Sequence, residues 1–229
     1  MLGIIGAMDI EVAEIKNIME NAEKQIISGL EFVCGEFSGR KVVVAKCGPG
    51  KVNAALCAQT MILEYSTDGI VNTGVAGGLD ERLGIADIAI ADSVVQHDCD
   101  TTVFGEPLGY ISKIEKVKIE CDTKIVGTLQ NIASSLNDTN FLVGTVATGD
   151  QFVYEKKKKE SIAQTFNAIA CEMEGGAIGH VCFANNVRFG VLRVISDNAD
   201  GSSNMDYSQF IRIAAQKSTN IMKQFIRIY

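Results

Sequence analysis

The sequence contains no tryptophan, two prolines and two histidines in 229 residues. Neither histidine, His97 nor His180, has a partner at ligand spacing, so a histidine-rich metal site or a Ser/His/Asp triad is difficult to build. The seven cysteines are scattered, odd in number and never arranged as Cys-x-x-Cys, which argues against a disulfide framework or a structural zinc site. We therefore expect no metal, and any catalysis must rest on carboxylates.

Positive charge is also scarce, because 21 Lys and Arg residues stand against 28 Asp and Glu residues, for a net charge of -7. A protein that binds nucleic acid non-specifically needs the opposite sign, so we expect no nucleic-acid partner. No uncharged stretch reaches the roughly 18 residues that span a bilayer, and the amino terminus lacks a basic region followed by a long apolar run. We predict a cytoplasmic protein with no membrane partner.

Apolar residues are plentiful: 47% of the chain is hydrophobic, which is ample for one core, and we predict a single domain over residues 1–229. Short apolar runs, such as residues 1–6 and 189–195, alternate with helical patterns, such as residues 50–65 and 207–228. Strands that are apolar throughout are typical of sheets buried on both faces. The sequence therefore predicts a three-layer α/β fold, with a central mixed, mostly parallel sheet flanked by helices.

Four turns that follow predicted strands are rich in glycine or in small polar residues. Ligands of open α/β sheets bind at the carboxyl ends of strands, so these turns are the places to look for chemistry. None has the spacing of a known nucleotide-phosphate loop. Tight turning would explain any one of them, but four together favour a site where backbone closely approaches a flat ligand. They cover residues 6–11, 47–51, 73–78 and 195–200.

Carboxylates lie in or beside three of the predicted strand ends. Glu11 follows the first strand, Glu172 and Glu174 lie where an apolar strand becomes a helix, and Asp197 and Asp200 follow the last strand. Helix or turn capping would explain each one alone. Several carboxylates that converge without histidine suit general acid and base chemistry on a neutral, hydroxyl-rich substrate, as in glycoside cleavage.

A run of four lysines, residues 156–159, is the one low-complexity segment, and it lies between Glu155 and Glu160. It has two interpretations, contact with an anionic ligand or the solvated start of a helix. The mixed charge pattern favours the solvated helix start.

Seven motifs occur in order along the chain: GIIGAMDIEV, GPGKVNAA, VNTGVAGGL, HDCDTTVFG, TGDQFV, CEMEGGAIGHV and RVISDNAD. Their order and spacing resemble the 5′-methylthioadenosine/S-adenosylhomocysteine nucleosidases, within the purine nucleoside phosphorylase superfamily. The combination of GAM-x-x-EV, EMEG and SD-x-AD is specific to a subfamily. The resemblance implies a phosphorylase/hydrolase-like fold, no cofactor, and a small-molecule nucleoside substrate. It also implies hydrolysis of the adenine N9–ribose C1′ bond in methylthioadenosine, S-adenosylhomocysteine and 5′-deoxyadenosine, in methionine salvage.

The resemblance also implies roles for individual residues. Asp197 would give a proton to adenine N7, and Glu11 would orient and deprotonate the attacking water on the opposite face of the sugar. Glu174 would grip the ribose hydroxyls and stabilise positive charge on the ring, while Arg193 would hold Glu174 and the water. The other substrate-binding residues that it implies are Met8, Pro49, Val75, Ala76, Gly77, Phe152, Val153, Glu172, Met173, Ser196 and Tyr207, with Phe104 contributed by a second subunit.

Three positions depart from the family's pattern. Val75 stands where many relatives carry serine, Pro49 replaces an aliphatic residue and Tyr207 replaces phenylalanine. A tyrosine hydroxyl at the pocket mouth would favour a polar 5′ tail such as that of S-adenosylhomocysteine, a hypothesis that an unchanged specificity ratio in Tyr207→Phe would remove. A pocket completed by Phe104 of a neighbouring chain implies a homodimer, which agrees with the apolar residues of that loop.

Four other functions are weighed against this one. A nucleoside phosphorylase needs arginines for phosphate, one usually just after the first strand, where this chain carries Glu11. A futalosine-type nucleosidase would use the same acid, base and ribose residues, so the sequence does not exclude it. A non-catalytic nucleoside sensor predicts the loss of Glu11 or Asp197, and both are present. A purely structural domain would leave the coincident carboxylates unexplained.

Overall fold

The computed structural model describes residues 1–137, 139–197 and 207–229, without the side chains of Tyr207 and Ser208. Asp200 and the rest of the fourth predicted turn after Asp197 lie outside the described residues, as does the side chain of Tyr207. The strands are β1 (Leu2–Gly6), β2 (Glu20–Ile27), β3 (Leu30–Phe37), β4 (Arg40–Lys46), β5 (Gly69–Gly78), β6 (Ile88–Gln96), β7 (Lys118–Glu120), β8 (Phe141–Thr148), β9 (Ala168–Glu172) and β10 (Arg188–Asp197). The helices are α1 (Asp9–Asn17), α2 (Lys51–Tyr65), α3 (Thr123–Ser134), α4 (Lys156–Phe166), α5 (Gly175–Ala184) and α6 (Tyr207–Ile228), with a short 3-10 helix at Thr102–Phe104.

The strands form one mixed sheet in the order β10-β6-β8-β9-β5-β1-β4-β3-β2, with β7 beside β6. β10 also pairs with β5, and the end of β5 meets β9 through Gly77 and Gly78, so β5, β10, β6, β8 and β9 close into a ring. β1 and β4 extend this ring in parallel, whereas β3 and β2 complete an antiparallel edge. The predicted α/β fold with a mixed central sheet is confirmed, and the ring closure is a feature that the sequence analysis missed.

Helices cover the sheet on both sides, and each side has its own apolar layer. On one side α2 and α5 pack against the sheet through small residues, among them Ala54, Ala58 and Ala177. On the other side α1, α3 and α6 contribute larger side chains such as Ile15 and Phe225. The long helix α6 has its apolar residues at helical spacing, as the sequence predicted.

Most predicted elements are present within one to three residues of their expected ends, but the expected turn at residues 73–78 is not a turn. Those residues continue strand β5, which the short side chains of Ala76 and the glycines allow to bend into the ring. Asp197 likewise ends strand β10 instead of following it. Strand β2 was missed because all but its last residue are exposed and most are polar, so it has no apolar alternation.

No helix in the described part of the chain is both long and apolar enough to cross a membrane.

Candidate active site

A cavity of about 230 Å³ lies where β1, β5, β9 and β10 end. It brings together three of the predicted carboxylate positions, those of the first turn, the end of β9 and the end of β10. The carboxyl ends of neighbouring strands are where α/β sheets bind ligands. Its lining residues are Ala7, Met8, Glu11, Pro49, Val75, Ala76, Gly77, Phe152, Cys171, Glu172, Met173, Glu174, Ser196 and Asp197.

Glu11 lies in the first turn of α1, and its carboxylate folds back onto the turn that begins the helix. Oε2 accepts hydrogen bonds from the backbone N–H groups of Ala7 (2.7 Å) and Met8 (2.9 Å), and Oε1 accepts one from Val75 (3.1 Å). Burial raises the pKa of Glu11 above its usual 4.5, although the charge of Arg193 and these three donors oppose the shift. A fixed carboxylate with elevated basicity is suited to accept a proton from water.

Gly74 makes the approach of Glu11 to strand β5 possible. A Cβ atom at this position would collide with Oε1 of Glu11 and with the guanidinium of Arg193. Only a residue without a side chain therefore lets Glu11 reach the N–H group of Val75.

Glu172 is an internal anchor at the start of α5. Its carboxylate accepts hydrogen bonds from the backbone N–H groups of Glu174 (3.0 Å) and Gly175, the latter at 2.8 and 3.0 Å to its two oxygens, and from the hydroxyl of Thr148. It also forms an ion pair with the buried guanidinium of Arg193. Because protein groups surround both oxygens, Glu172 orients its neighbours Glu174 and Arg193.

Glu174 is held between two parts of the chain that are far apart in sequence. Its Oε1 accepts a hydrogen bond of 3.0 Å from the backbone N–H of Gly50, and its Oε2 lies 3.4 Å from Nη2 of Arg193. Burial, followed by the charge of Glu172, raises the pKa of Glu174. Three buried carboxylates (Glu11, Glu172 and Glu174) thus surround one guanidinium, so this end of the cavity favours a ligand that carries or develops positive charge.

Asp197 lies at the end of β10, where the sheet register shifts opposite Gly77. The hydroxyl of Ser196 is 3.3 Å from its Oδ1. A Cβ atom on Gly77 would lie 3.0 Å from Oδ2 of Asp197, so glycine leaves the room in which this carboxylate sits. The carboxylate is thereby placed at the cavity wall contributed by β5 and β10.

The prediction that the lysine run is solvated is wrong for Lys159. The lysine run does begin a helix, α4, as predicted, but Lys159 is buried instead of solvated, and its Nζ is 2.8 Å from Oδ2 of Asp197. A usable signal existed, because Lys159, Ile162 and Phe166 are spaced three and four residues apart and so share the apolar face of α4.

Most of the remaining predicted site residues line the cavity, and two do not. Met8, Pro49, Val75, Ala76, Phe152, Met173 and Ser196 line the cavity, and Val153 is buried beside it in a small extension of about 30 Å³. Phe104, in contrast, is 80% exposed on the 3-10 helix and does not line the cavity of its own chain. Arg193 lies behind the cavity wall and reaches it through Glu172 and Glu174.

Among the described residues, no group of three or more histidine, cysteine or acidic side chains could hold a metal ion. A larger groove of about 540 Å³ runs between α6 and the segment that follows α3, but the residues that line it are mainly amides, aliphatic side chains and the cations Arg212 and Lys217, without converging carboxylates. The chemistry is therefore concentrated in the cavity at the strand ends.

A family model described as the phosphorylase superfamily matches residues 1–227. The 5′-methylthioadenosine/S-adenosylhomocysteine nucleosidase of Shewanella halifaxensis is 39% identical over 218 residues, which cover 95% of this chain and 94% of that protein.

Solved structures give the same picture. The 5′-methylthioadenosine/S-adenosylhomocysteine nucleosidase of Neisseria meningitidis, in complex with methylthio-immucillin-A, matches with a TM-score of 0.95 and 29% identity over 100% of this chain and 99% of that chain. The futalosine hydrolase of Helicobacter pylori matches with a TM-score of 0.92 and 34% identity over 98% of this chain and 96% of that chain.

The ring-closed mixed sheet and the acidic cavity at its strand ends, together with these matches, define a nucleosidase-type enzyme of the phosphorylase superfamily. Within that superfamily, the chain belongs to the 5′-methylthioadenosine/S-adenosylhomocysteine nucleosidase family. The resemblance seen in the seven sequence motifs is thereby confirmed.

Proposed function

We propose that this protein hydrolyses the N-glycosidic bond of 5′-methylthioadenosine and S-adenosylhomocysteine, releasing adenine and the corresponding 5-substituted ribose. The observation that carries the proposal is that Glu11 and Asp197, on different elements of the fold, line one cavity in a chain of this family. These two groups supply the base and the acid that cleavage of the bond requires.

The reaction divides between the two ends of the cavity. Adenine is a poor leaving group as an anion, so Asp197 gives a proton to N7 as the bond between C1′ and N9 breaks and its electrons pass to the base. Glu11 holds a water molecule and takes its proton as the water oxygen bonds to C1′. Attack from the face opposite to the leaving base would invert the configuration at C1′.

The acidic end of the cavity suits the sugar. Glu174 accepts hydrogen bonds from the ribose 2′ and 3′ hydroxyls while Arg193 and the N–H group of Gly50 keep its carboxylate in place. The excess of buried carboxylate over guanidinium would also stabilise the positive charge that develops on the ribose ring. Met173 would pack against the ribose.

The other end of the cavity suits the base and the 5′ substituent. Phe152 offers a ring for stacking with adenine, the backbone of Phe152 and Val153 would meet its N1 and N6 edge, and Gly77 and Ala76 leave room beside Asp197. Met8 and Pro49 provide apolar surface for the 5′-alkylthio group, with Tyr207 expected at its mouth.

Adenine release with and without phosphate tests the reaction type. Purified protein and methylthioadenosine are incubated in both buffers, and adenine is measured by chromatography. The proposal predicts equal adenine release with free methylthioribose as the second product. Dependence on phosphate, with a sugar phosphate as product, would instead identify a phosphorylase. The carboxylate of Glu11 in the first turn disfavours that outcome, because it would repel phosphate.

A futalosine-type substrate is the second candidate, supported by the match to the Helicobacter pylori futalosine hydrolase. A panel of methylthioadenosine, S-adenosylhomocysteine, 5′-deoxyadenosine and futalosine, compared by kcat/KM, decides between the candidates. We expect the three adenosine derivatives to be cleaved. Preference for futalosine by more than about tenfold, on the scale set by one or two well-placed contacts, would reassign the substrate.

We further propose that the protein is a cytoplasmic homodimer acting in methionine salvage, with the cavity completed by Phe104 of a second copy. Val103 and Phe104 are both largely exposed apolar side chains, which a monomer in water would not favour. Light scattering measures the mass directly. A dimer that Phe104→Ser weakens, with a higher KM for methylthioadenosine, agrees with the proposal, whereas a monomeric wild type with full activity would contradict it.

A further inference from the structure

Lys159 occupies a position where the helix pattern calls for an apolar side chain. Within α4 it shares a face with Ile162 and Phe166, which pack into the core, whereas Lys156 and Lys157 on the same helix are exposed. Lysine side chains normally extend until the ammonium reaches water. Here the side chain is 3% exposed and ends 2.8 Å from the carboxylate of Asp197, which is 6% exposed.

A buried ammonium costs several kcal/mol of desolvation unless an anion compensates for it. Asp197 supplies that anion, so each charge makes the burial of the other tolerable. The ion pair also lies on the active cavity, because Lys159, Phe152 and Asp197 together line its 30 Å³ extension. It is therefore part of the surroundings of the proposed catalytic acid and not a remote structural contact.

We propose that Lys159 is a positioning residue for the hydrolysis, the cationic partner that holds Asp197 and stabilises the carboxylate left behind when Asp197 gives its proton to the base. This inference rests on the proposed function. During cleavage the proton passes from Asp197 to adenine N7, and the resulting carboxylate forms a charge-assisted pair with the Lys159 ammonium. After adenine leaves, the Asp197 carboxylate stays paired with the Lys159 ammonium and takes up a proton from solvent water as the next nucleoside binds, so Lys159 keeps its own protons throughout.

Other titratable groups face Asp197 from the neighbouring elements. Lys158 lies beside Lys159 on α4, and β9 contributes Cys171 and Glu172. Burial raises the pKa of the Cys171 thiol to about 12, so it is uncharged in the range of an assay, and Glu172 is ion-paired with Arg193.

Across the cavity, the carboxylates of Glu11 and Glu174 also line the wall. A substitution at Lys159 leaves the side chains of all these described groups unchanged.

Three substitutions separate charge from size. Lys159→Met removes the charge and keeps an apolar chain of similar length, Lys159→Gln removes the charge and keeps a hydrogen-bond donor, and Lys159→Arg keeps the charge. Lys157→Met, on the exposed side of the same helix, is the matched control. For each variant, kcat and KM for methylthioadenosine are measured at the wild-type pH optimum, with melting temperature as the check on folding.

The neutral variants are expected to lose kcat by about ten- to a hundredfold at the wild-type optimum, with KM within about threefold, because their acid donates its proton less readily. Lys159→Arg keeps the cation beside Asp197 and should therefore retain most of the wild-type kcat, as should Lys157→Met.

Wild-type kcat in both neutral variants, or an equal loss of kcat in Lys159→Arg and in the neutral variants, would overturn the inference while leaving the proposed function intact. If Lys159→Met fails to fold, Lys159→Gln decides the question alone, since its polar amide is easier to accommodate beside a buried carboxylate than a thioether. A wild-type protein that releases no base from any nucleoside of the panel would instead overturn the proposed function, and this inference with it.

Discussion

The backbone N–H of Val75 donates a hydrogen bond of 3.1 Å to Oε1 of Glu11, joining the first helix to the strand that begins the closed ring. Ala7 and Met8 fix the other oxygen, so the carboxylate has one orientation in the cavity. The position that would be filled by serine in many relatives thus contributes to this network through its backbone, which valine provides equally well.

Replacing the base of this network should abolish most turnover. Glu11→Gln keeps the size of the side chain and an oxygen for the Ala7 and Met8 donors, but it cannot accept a proton from water. We expect kcat for methylthioadenosine to fall by about 10²- to 10⁴-fold with little change in KM. Glu14→Gln, on the same helix and bonded to Lys223, is the control and should keep wild-type kcat. A Glu11→Gln enzyme with more than about a tenth of normal turnover would place the base elsewhere.

The loss of activity at acid pH should follow the protonation of Glu11. Glu11 accepts a proton only when ionised, and burial raises its pKa above 4.5. Activity is therefore lost as pH falls through a value above 4.5, and the raised pKa of Glu174 acts in the same direction. The measurement is kcat/KM from about pH 4 to 8. If kcat/KM falls to half its maximum only at or below pH 4.5, neither carboxylate controls the loss of activity in acid.

The contribution of Glu11 to the stability of the folded protein should change with pH in the opposite direction from activity. Because its folded pKa is raised, protonated Glu11 favours the folded state below 4.5, and this contribution is lost as pH rises through the folded pKa. The melting temperature of wild type relative to Glu11→Gln is thus expected to be highest in acid and to decline towards neutral pH. A difference that stays constant between about pH 5 and 8, or that grows, would mean that burial does not raise this pKa.

A substitution at Gly74 tests how closely Glu11 must approach strand β5. Gly74→Ala places a methyl group into Glu11 and Arg193, and we expect a loss of about 1–3 kcal/mol in the free energy of unfolding together with at least a tenfold loss of kcat. Gly127, inside α3, has open space around it, so Gly127→Ala should instead gain up to about 1 kcal/mol and keep full activity. Equal effects of the two substitutions in denaturant titrations and assays would contradict the crowding at Gly74.

The apolar strands and the amphipathic helices were predictable because each leaves a periodic signal of its own, as α6 does. Strand β2 leaves none, since its exposed polar residues are ordered by pairing with β3. The ring closure depends on where Gly77 and Gly78 meet Cys171 and Ala170, nearly a hundred residues away, which no local pattern encodes.

The site residues likewise divide into those that leave a local sequence signal and those that do not. Glu11, Glu174 and Asp197 stood out because they are carboxylates at the ends of apolar strands. The roles of Arg193 and Lys159 depend on long-range pairing across the fold, and Lys159 was further obscured by three neighbouring lysines that are mostly solvated. A charged residue on the apolar face of a helix is the signal that would have identified it.

The central claim is that Asp197 donates the proton that releases the base. Asp197→Asn keeps the shape of the side chain but has no acidic proton to give. Single-turnover cleavage of methylthioadenosine is compared between this variant and wild type, with substrate binding measured in parallel by calorimetry. We expect the variant to bind the nucleoside and to release adenine at least about 10²-fold more slowly. Adenine release at the wild-type rate by the Asn variant would contradict the central claim.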